Sequence, residues 1–572
     1  MKWILKQLKP LTSRLTVGIA IKVISTIAEL FIPYILSHIL ENVIKNENPL
    51  QIVLWGVLMA LCALIACVGN ITANRMAART TRIFSEKMRR ELFSKTLSLS
   101  ARDTDRFTIP SLESRITSDT YNVQNFIGMM QRLGIRAPIL LIGGSIITLI
   151  MDQRLALVMI ATLPIVFAIV YSISRMGVPL YTKVQQSVDG MVRVVREDAQ
   201  GIRVIKALSK VDYENARYDK ANMALRKNES RAGIIMGVVN PIMTLLMNMG
   251  IVAVIAVSAY YVSLGRSSAA SILAFMQYFT LISFAMMSLS RMFVMYTKCA
   301  ASASRISSVM ECENELTVVE DDGKGDADYH ISFENVCFSY LGKKDNAKNI
   351  SFKLKRGERL GIIGATGSGK STILRLLMRF YDVGSGVVRI NGRDVRSYTP
   401  EELTAMFGVV FQNDFIYADT IEENIRFGRD ISHEEIVEAA KLAQADEYIS
   451  AFSDGYSHAI STAGTNLSGG QRQRLLISRA VAGRPEILIL DDSSSALDYK
   501  TDANLRRALA DALPDSTVIT VAQRVSSVKS CDQILVIEDG EIIGAGTHDE
   551  LIESCAEYKE ISDSQMGGAF LE

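Results

Sequence analysis

Apolar positions fall into two regimes along the chain. In the first half they run almost unbroken through residues 15–40, 52–74, 135–151, 154–174, 233–262 and 271–296. A helix needs about 20 apolar residues to cross a bilayer core. Four of these stretches meet that length comfortably. The pair at 135–151 and 154–174 is tighter and is joined by Met151-Asp152-Gln153-Arg154. We take it as a helical hairpin with a minimal turn, in preference to one broken helix or a soluble core pair. The pattern therefore predicts six membrane spans. From Tyr329 the apolar runs become short and β-rich, as in HISFENVCFSY and RLGIIGATG, and alternate with helical periodicity. That alternation predicts an α/β domain. Between the two regimes, residues 316–328 (LTVVEDDGKGDAD) are acidic, contain glycine and lack periodicity, which predicts a linker. The expected fold class is multi-domain: an all-α, six-helix transmembrane domain over 1–315, a linker over 316–328, and an α/β domain over 329–572.

The connections between spans are unequal. Segments 75–132 and 175–231 are long and keep helical spacing through Arg79–Leu97 and Val192–Tyr218. At about 1.5 Å per residue, such helices extend well beyond a bilayer. Basic residues collect on the same side. Lys2, Lys6, Lys9 and Arg14 precede the first span, and 75–132 carries Arg75, Arg79, Arg82, Lys87 and several more. The opposite connections, 41–51, 152–154 and 263–270, each hold one basic residue. The positive-inside rule then places both termini and both long connections in the cytoplasm. Lys22 and Glu29 lie seven residues apart on one face of the first span, with His38 nearer its outer end. They are candidates for substrate contact, for a structural Lys–Glu pair, or for snorkelling from a tilted helix. Pro33, Pro164 and Pro241 are expected to kink their spans. Methionines such as Met236, Met243, Met247 and Met249, and Met276, Met286, Met287, Met292 and Met295, suit packing first and a pliable binding surface second.

Composition narrows the classes. Hydrophobic residues make up 49% of the 572 residues while charged residues still make up 22%. Only an apolar part joined to a polar part gives both, so disorder, a small disulfide scaffold and a pure membrane bundle are excluded. Lysine plus arginine total 62 against 61 acidic residues, a net charge of +1. No nucleic-acid partner is expected from so balanced a chain. The seven cysteines form no CxxC pair and histidines number only five. Neither a Cys/His metal site nor a disulfide framework is expected. No cleavable signal peptide is expected either, because Met1–Arg14 is polar and basic and the apolar run after it lacks a small-residue cleavage site.

The α/β half carries the chemistry. Strand Arg359–Ile363 runs into Gly364-Ala-Thr366-Gly367-Ser368-Gly369-Lys370-Ser371-Thr372, followed by the helical ILRLLMRF. This is GxxxxGK[ST] in its strand–loop–helix setting. Glycines let successive N–H groups close around phosphate oxygens at a helix N-terminus. Lys370 is placed to reach the β/γ-phosphates and the Ser371 hydroxyl to bind Mg²⁺. A second apolar strand, Ile487–Leu490, ends in Asp491-Asp492. A strand delivering a carboxylate beside a phosphate loop suits Mg²⁺ held by Asp491.

Between these motifs stands Leu467-Ser468-Gly469-Gly470-Gln471, followed by RQRLLISRAVA. With it, the chain resembles the ATP-binding cassette (ABC) family, whose signature is LSGGQ. The resemblance covers essentially the whole chain, and six spans fused upstream of a cassette look like an exporter half-transporter. It implies that Tyr340 stacks on adenine and that Gln412 (VVFQNDF) is the Q-loop glutamine, a catalytic residue and, with Ser371 and Asp491, a Mg²⁺ ligand. Residues Gly364 to Thr372 would hold the ATP phosphates. Ser468, Gly469, Gly470 and Gln471 would close on ATP held by a different cassette, so the working unit is at least a dimer. Ser495-Ala496-Leu497-Asp498 looks like the D-loop. Asp119 with its neighbours (SLESRITSDT) and Glu197–Lys206 match family loop patterns that contact cassettes.

Three departures stand out against that family. The residue after the strand-end aspartate is normally glutamate, the general base for the attacking water; here it is Asp492. The switch histidine is replaced by Gln523 (VITVAQRVSS), and no histidine lies between His458 and His548. The x-loop glutamate is missing from Ser461-Thr462-Ala463-Gly464. Loss of a general base typically costs about 10²–10⁴-fold in rate. The intact LSGGQ beside a degenerate base and switch implies a heterodimer. This chain's own site would be slow, and its signature would complete the partner's active site. The partner is then expected to carry Glu and His and an altered signature. The alternatives are a homodimeric lipid or multidrug flippase with slow ATPase, and an ATP-gated membrane protein that does not pump. Cargo is expected to be a small molecule, lipid or peptide, moved across a bacterial cytoplasmic membrane.

Overall fold

The computed structural model describes residues 2–263, 269–313, 316–340, 342, 344–493 and 495–566. The chain divides into two compact units. One comprises Met1–Ser98 with Phe107–Cys312, the other Leu99–Arg106 with Glu313–Glu572.

The first unit is helical throughout. Its principal helices are Thr12–His38, Pro49–Leu97, Thr120–Met129, Ile135–Met151, Gln153–Ala207, Val211–Gly237, Val239–Ser263 and Ala269–Met310. Local chemistry sets their starts. Asn48 accepts a hydrogen bond from the Leu50 N–H, with Pro49 at the first helical position, and the helix then runs 49 residues. At 1.5 Å per residue that is about 70 Å. Asp152 is extended and caps Arg154 and Leu155, so it alone separates Ile135–Met151 from the 55-residue helix that follows. The expected minimal turn is this one residue. Five helical segments among the described residues are long and apolar enough to cross a membrane. The sixth apolar stretch, Gln153–Ile169, is shorter, although its helix continues to Ala207. The stretch expected as one span over 233–262 is broken at Val238. Pro241 has no N–H to donate, so it sits in the first turn of the new helix and not inside a longer one. Most of the connection 263–270, with Arg266, and the Met243 side chain lie outside the described residues.

The interior of this unit gathers Leu30, Leu140, Met159, Tyr278, Phe279 and Ile282. The Tyr278 hydroxyl donates to the Leu30 carbonyl at 2.6 Å. Gly250 is required here, since a Cβ would lie 2.3 Å from the Phe279 ring. Lys22 and Glu29 do not pair with each other. Lys22 donates to Asn70 and Asn74 at 2.6 and 3.2 Å, and Glu29 takes Arg136. His38 packs on Trp55, with ring centroids 4.4 Å apart. Asp119 also departs from its expected role. Its carboxylate is buried inside the helical unit, bonded by Arg305 Nε at 2.7 Å and the Ser302 hydroxyl at 2.8 Å. An acid so occupied fastens helices together. The segment that joins the second unit is instead Leu99–Arg106.

In the second unit a four-stranded antiparallel sheet has the order β2–β1–β4–β5, where β1 is Ile331–Phe338, β2 Ala347–Leu354, β4 Ser385–Ile390 and β5 Arg393–Asp394. A six-stranded sheet has the order β10–β9–β3–β8–β7–β6. Here β3 is Arg359–Ile363, β6 Phe407–Val410, β7 Ile487–Asp491, β8 Thr517–Val521, β9 Gln533–Glu538 and β10 Glu541–Gly546. β6, β7, β8, β3 and β9 are mutually parallel. Strand β7 is buried at every position, as its unbroken apolar run requires of a central parallel strand. Residues 316–328 lie on this unit. Val319 N–H bonds the Arg396 carbonyl at 3.0 Å, and Arg379 donates to the Thr317 carbonyl at 2.7 Å. The buried Arg389 takes both oxygens of Asp322 at 2.6 and 2.7 Å. This linker is strapped to the small sheet.

Candidate functional site

The order of the large sheet makes the site. Strands β3, β8 and β7 are consecutive neighbours, with Ile362 opposite Val521 and Val521 opposite Asp491. Their C-terminal ends therefore finish side by side. The loops leaving them, Gly364–Gly369, Ala522–Arg524 and Asp492 onward, face one cleft, the place where open parallel sheets bind ligands.

The phosphate loop depends on its glycines. Gly367 and Gly369 have φ of +85° and +106°, a region L-residues avoid. A Cβ on Gly369 would stand 2.6 Å from the Asn346 carbonyl oxygen. The loop ends at the N-terminus of helix Lys370–Leu377. Lys370 Nζ donates to the carbonyls of Gly364 and Ala365 at 2.8 and 2.7 Å. Burial lowers its pKa, against the opposing pull of Asp491 and Asp492. The Ser371 hydroxyl donates to Asp491 Oδ2 at 3.1 Å. Burial raises the Asp491 pKa despite that bond. Ser368 Oγ, a buried hydroxyl without a hydrogen-bond partner among the described residues, marks the loop as unfinished on its own. These features fit a nucleotide triphosphate with Mg²⁺: N–H groups and a lysine for phosphate, a hydroxyl and a carboxylate as hard oxygen ligands.

The cleft, of about 180 Å³, is lined by Thr366, Gly367, Gly369, Lys370, Ser371 and Thr372 from the loop and helix. It is completed by Gln412, Asp491, Asp492 and Gln523, with Asn346, Val521 and Ala522. The structure thus brings together the predicted P-loop residues, Gln412, both aspartates and Gln523. Asp492 has φ +49°, and its N–H bonds the Val521 carbonyl at 2.9 Å. Gln523 Nε2 donates to Asp492 Oδ2 at 3.1 Å, and Gln412 lines the same cleft. Burial raises the Asp492 pKa against this bond. Gly364, the loop's first glycine, has its Cβ position only 2.1 Å from the Ile537 carbonyl oxygen, so the loop seats against β9.

Tyr340 stands apart from the cleft lining. Its ring meets Phe338 and Tyr381 edge-on, and its hydroxyl donates to Thr372 at 3.3 Å while accepting from Arg375 at 3.1 Å. The signature residues also lie elsewhere. Ser468 caps helix Gly469–Val481 in a reciprocal capping box with Gln471, and all four residues from Ser468 to Gln471 are at least partly exposed. Gly470 lies beside the D-loop, where a Cβ would be 3.2 Å from the Ala496 carbonyl oxygen. Asp498 caps the next helix through Thr501.

Several contributors carry no motif. Asn346 lines the cleft and accepts from the Tyr340 N–H at 3.2 Å. Gln565, in helix Ala556–Met566, accepts from the Val525 N–H and donates to the Gln523 carbonyl, both at 2.8 Å. It thereby holds the switch loop from both flanks. Asp105, in Leu99–Arg106, accepts from the Tyr381 hydroxyl at 2.6 Å. Asp105 sits in ARDTDRF, a stretch with two arginines and two aspartates that carries no motif.

Known proteins agree with this architecture. The ABC transporter transmembrane region family matches residues 15–286, and the ABC transporter family matches residues 347–495. The uncharacterised ABC transporter ATP-binding protein YfiB of Bacillus subtilis is 33% identical over 98% of both chains. The uncharacterised protein Rv1273c of Mycobacterium tuberculosis is 31% identical over 98% of this chain and 97% of its own. A bacterial Atm1-family ABC exporter solved with ATP bound superposes with a TM-score of 0.82. It covers 96% of this chain and 98% of its own at 23% identity, which establishes a shared fold. With apolar helices long enough to span a bilayer, a phosphate loop, a strand-end aspartate and a signature helix on one chain, this protein belongs to the ABC transporter family.

Proposed function

We propose that the chain is the degenerate-site half of a heterodimeric ABC exporter. The observation that carries this reading is the pair at the catalytic position. Asp492, a methylene shorter than glutamate, is held by Gln523, an amide that can donate a hydrogen bond but cannot carry a proton. In this reading Lys370 leaves the Gly364 and Ala365 carbonyls to meet phosphate, and Ser371, Asp491 and Gln412 hold Mg²⁺. Bound MgATP supplies the free energy of phosphoryl transfer. Tyr340 and the loop from Gly364 to Thr372 seat the nucleotide. Ser468, Gly469, Gly470 and Gln471 stand apart from that cleft, which supports their completing a partner's site. Cassettes closing over ATP would couple to the helical halves, releasing cargo outward. Such coupling requires ATP to favour the closed state, not merely to bind. By the positive-inside rule the basic connections support a cytoplasmic cassette, and the bacterial relatives favour a bacterial cytoplasmic membrane. The cargo class is a small molecule, lipid or peptide.

The test is ATPase activity in proteoliposomes, for the chain alone and with a co-expressed ABC partner encoded beside it. Activity that needs the partner, and survives Lys370→Ala better than loss of the partner's P-loop lysine, is the expected result. Equal activity from the chain alone, abolished by Lys370→Ala, would replace this reading with the slow homodimeric flippase.

A further inference from the structure

The helical unit holds a second cavity, of about 250 Å³. Leu133, Leu140, Leu281 and Phe284 give it apolar walls, with Arg136 and Ser288 as its polar groups. Glu29 engages Arg136 through Nε and Nη2, at 3.2 and 2.5 Å. A guanidinium has five N–H donors. Among the described residues, those two bonds leave three without a partner, including both on Nη1. The Arg136–Glu29 pair is neutral, but its surroundings are not. Lys22, 3% exposed, is within electrostatic reach of both, and its bonded partners are the uncharged amide oxygens of Asn70 and Asn74. Lys22 does not line the cavity, and among the described residues it has no bonded carboxylate.

Ionisable groups in an apolar layer are expensive, and they face cavities or partners when they occur. A pair serving only to fasten two helices could be exchanged for apolar side chains with little loss. This pair instead opens onto a cavity, with its arginine turned to the void. Arginine is also the side chain best matched to a planar or tetrahedral oxyanion. We propose that the cavity seats the head group of an amphipathic anion, a carboxylate, phosphate or sulfonate on an apolar body. The oxyanion meets the free Arg136 N–H groups, and the body lies along Leu133, Leu140, Leu281 and Phe284. Glu29 holds the guanidinium in plane and tempers its affinity, so that the cargo can leave. This rests on the export reading only for the idea that the bound molecule is cargo.

The test measures binding without ATP, so its outcome is separate from that of the ATPase assay. The full chain, in neutral phosphatidylcholine nanodiscs, is titrated with decyl phosphate and with decyltrimethylammonium. The anion should bind and the cation should neither bind nor compete. Arg136→Gln should weaken decyl phosphate by about tenfold or more, the worth of a charged hydrogen bond. Glu29→Gln should tighten it, because a neighbouring negative charge is removed. Competition by added phosphatidylglycerol marks a lipid head group as the source; its absence marks a free amphiphile. Equal binding of cation and anion overturns the proposal, as does weakening by both substitutions alike, the signature of a structural pair. Should Arg136→Gln fail to assemble, the opposite signs expected for the two amphiphiles and for Glu29→Gln still decide.

Discussion

On the degenerate-site proposal, replacing Asp492 by Glu together with Gln523 by His should raise hydrolysis. In that reading placement, not basicity, limits Asp492. Burial raises its pKa, which for a general base is the useful direction. What it lacks is reach. One more methylene moves the carboxylate by about 1.5 Å, and a misplacement of about 1 Å can lower a rate by 10²-fold. The longer side chain would also override the 3.1 Å bond that Gln523 now makes to Asp492, so the single Asp492→Glu change should recover less than the pair. Histidine at 523 adds an imidazole that can hold a proton near neutral pH. The pair should therefore gain roughly 10²-fold, at the lower end of the 10²–10⁴ attributed to general-base catalysis. The assay is single-turnover phosphate release by the chain purified alone and concentrated to self-associate, where every site carries an intact LSGGQ. A non-hydrolysable ATP analogue checks that nucleotide affinity is unchanged. A rate within twofold of the parent, with binding intact, would refute the argument that reach limits this site.

Three further outcomes are expected. His330 is fully buried, with its pKa depressed to about 4 by burial and by the Arg356 charge, while Nδ1 bonds Thr517 at 2.6 Å. Its neutral form is favoured in the fold, so its contribution to stability is present above the ordinary value of 6.5 and is lost as pH falls towards 4. Chemical denaturation from pH 7 to 4 should show a fall on the order of 3 kcal/mol that His330→Gln removes. Asp105→Ala breaks the 2.6 Å bond to Tyr381. A hydrogen bond to a charged group is worth about 1.5–3 kcal/mol, so trypsin should cut at Arg102 and Arg106 at least about tenfold faster. Gln565→Ala releases the switch loop, so single-turnover phosphate release by the chain alone should slow with ATP affinity little changed, and Gln565→Glu should rescue only the Val525 contact.

Much of this was visible in the sequence because the signals were local. The phosphate loop is a contiguous run whose glycines sit where φ turns positive, at Gly367 and Gly369. The hairpin turn at Asp152 was marked by one capping residue between two apolar runs. What escaped were contacts between distant residues. Asp105 and Tyr381 lie 276 positions apart, and no periodicity records their bond. The acidic stretch over 316–328 resembled a free tether because the arginines that bind it, Arg379 and Arg389, come much later. Asp119 was assigned through family likeness, yet its buried bonds to Arg305 and Ser302 are tertiary. Pro241 announced a disturbance, and the structure places the interruption three residues earlier, at Val238, between helices ending at Gly237 and starting at Val239.

The membership of Leu99–Arg106 in the second unit has a genetic consequence. Recombination between related transporters would most readily exchange coding sequence at the polar stretch after Met310. Such a crossover would deliver a new cassette while leaving the resident Leu99–Arg106 behind. The newcomer's counterpart of Tyr381 would then meet an unrelated residue in place of Asp105. Viable mosaics should therefore be biased towards donors that match at position 105, and sequence pairs such as Asp105 and Tyr381 should change together across lineages.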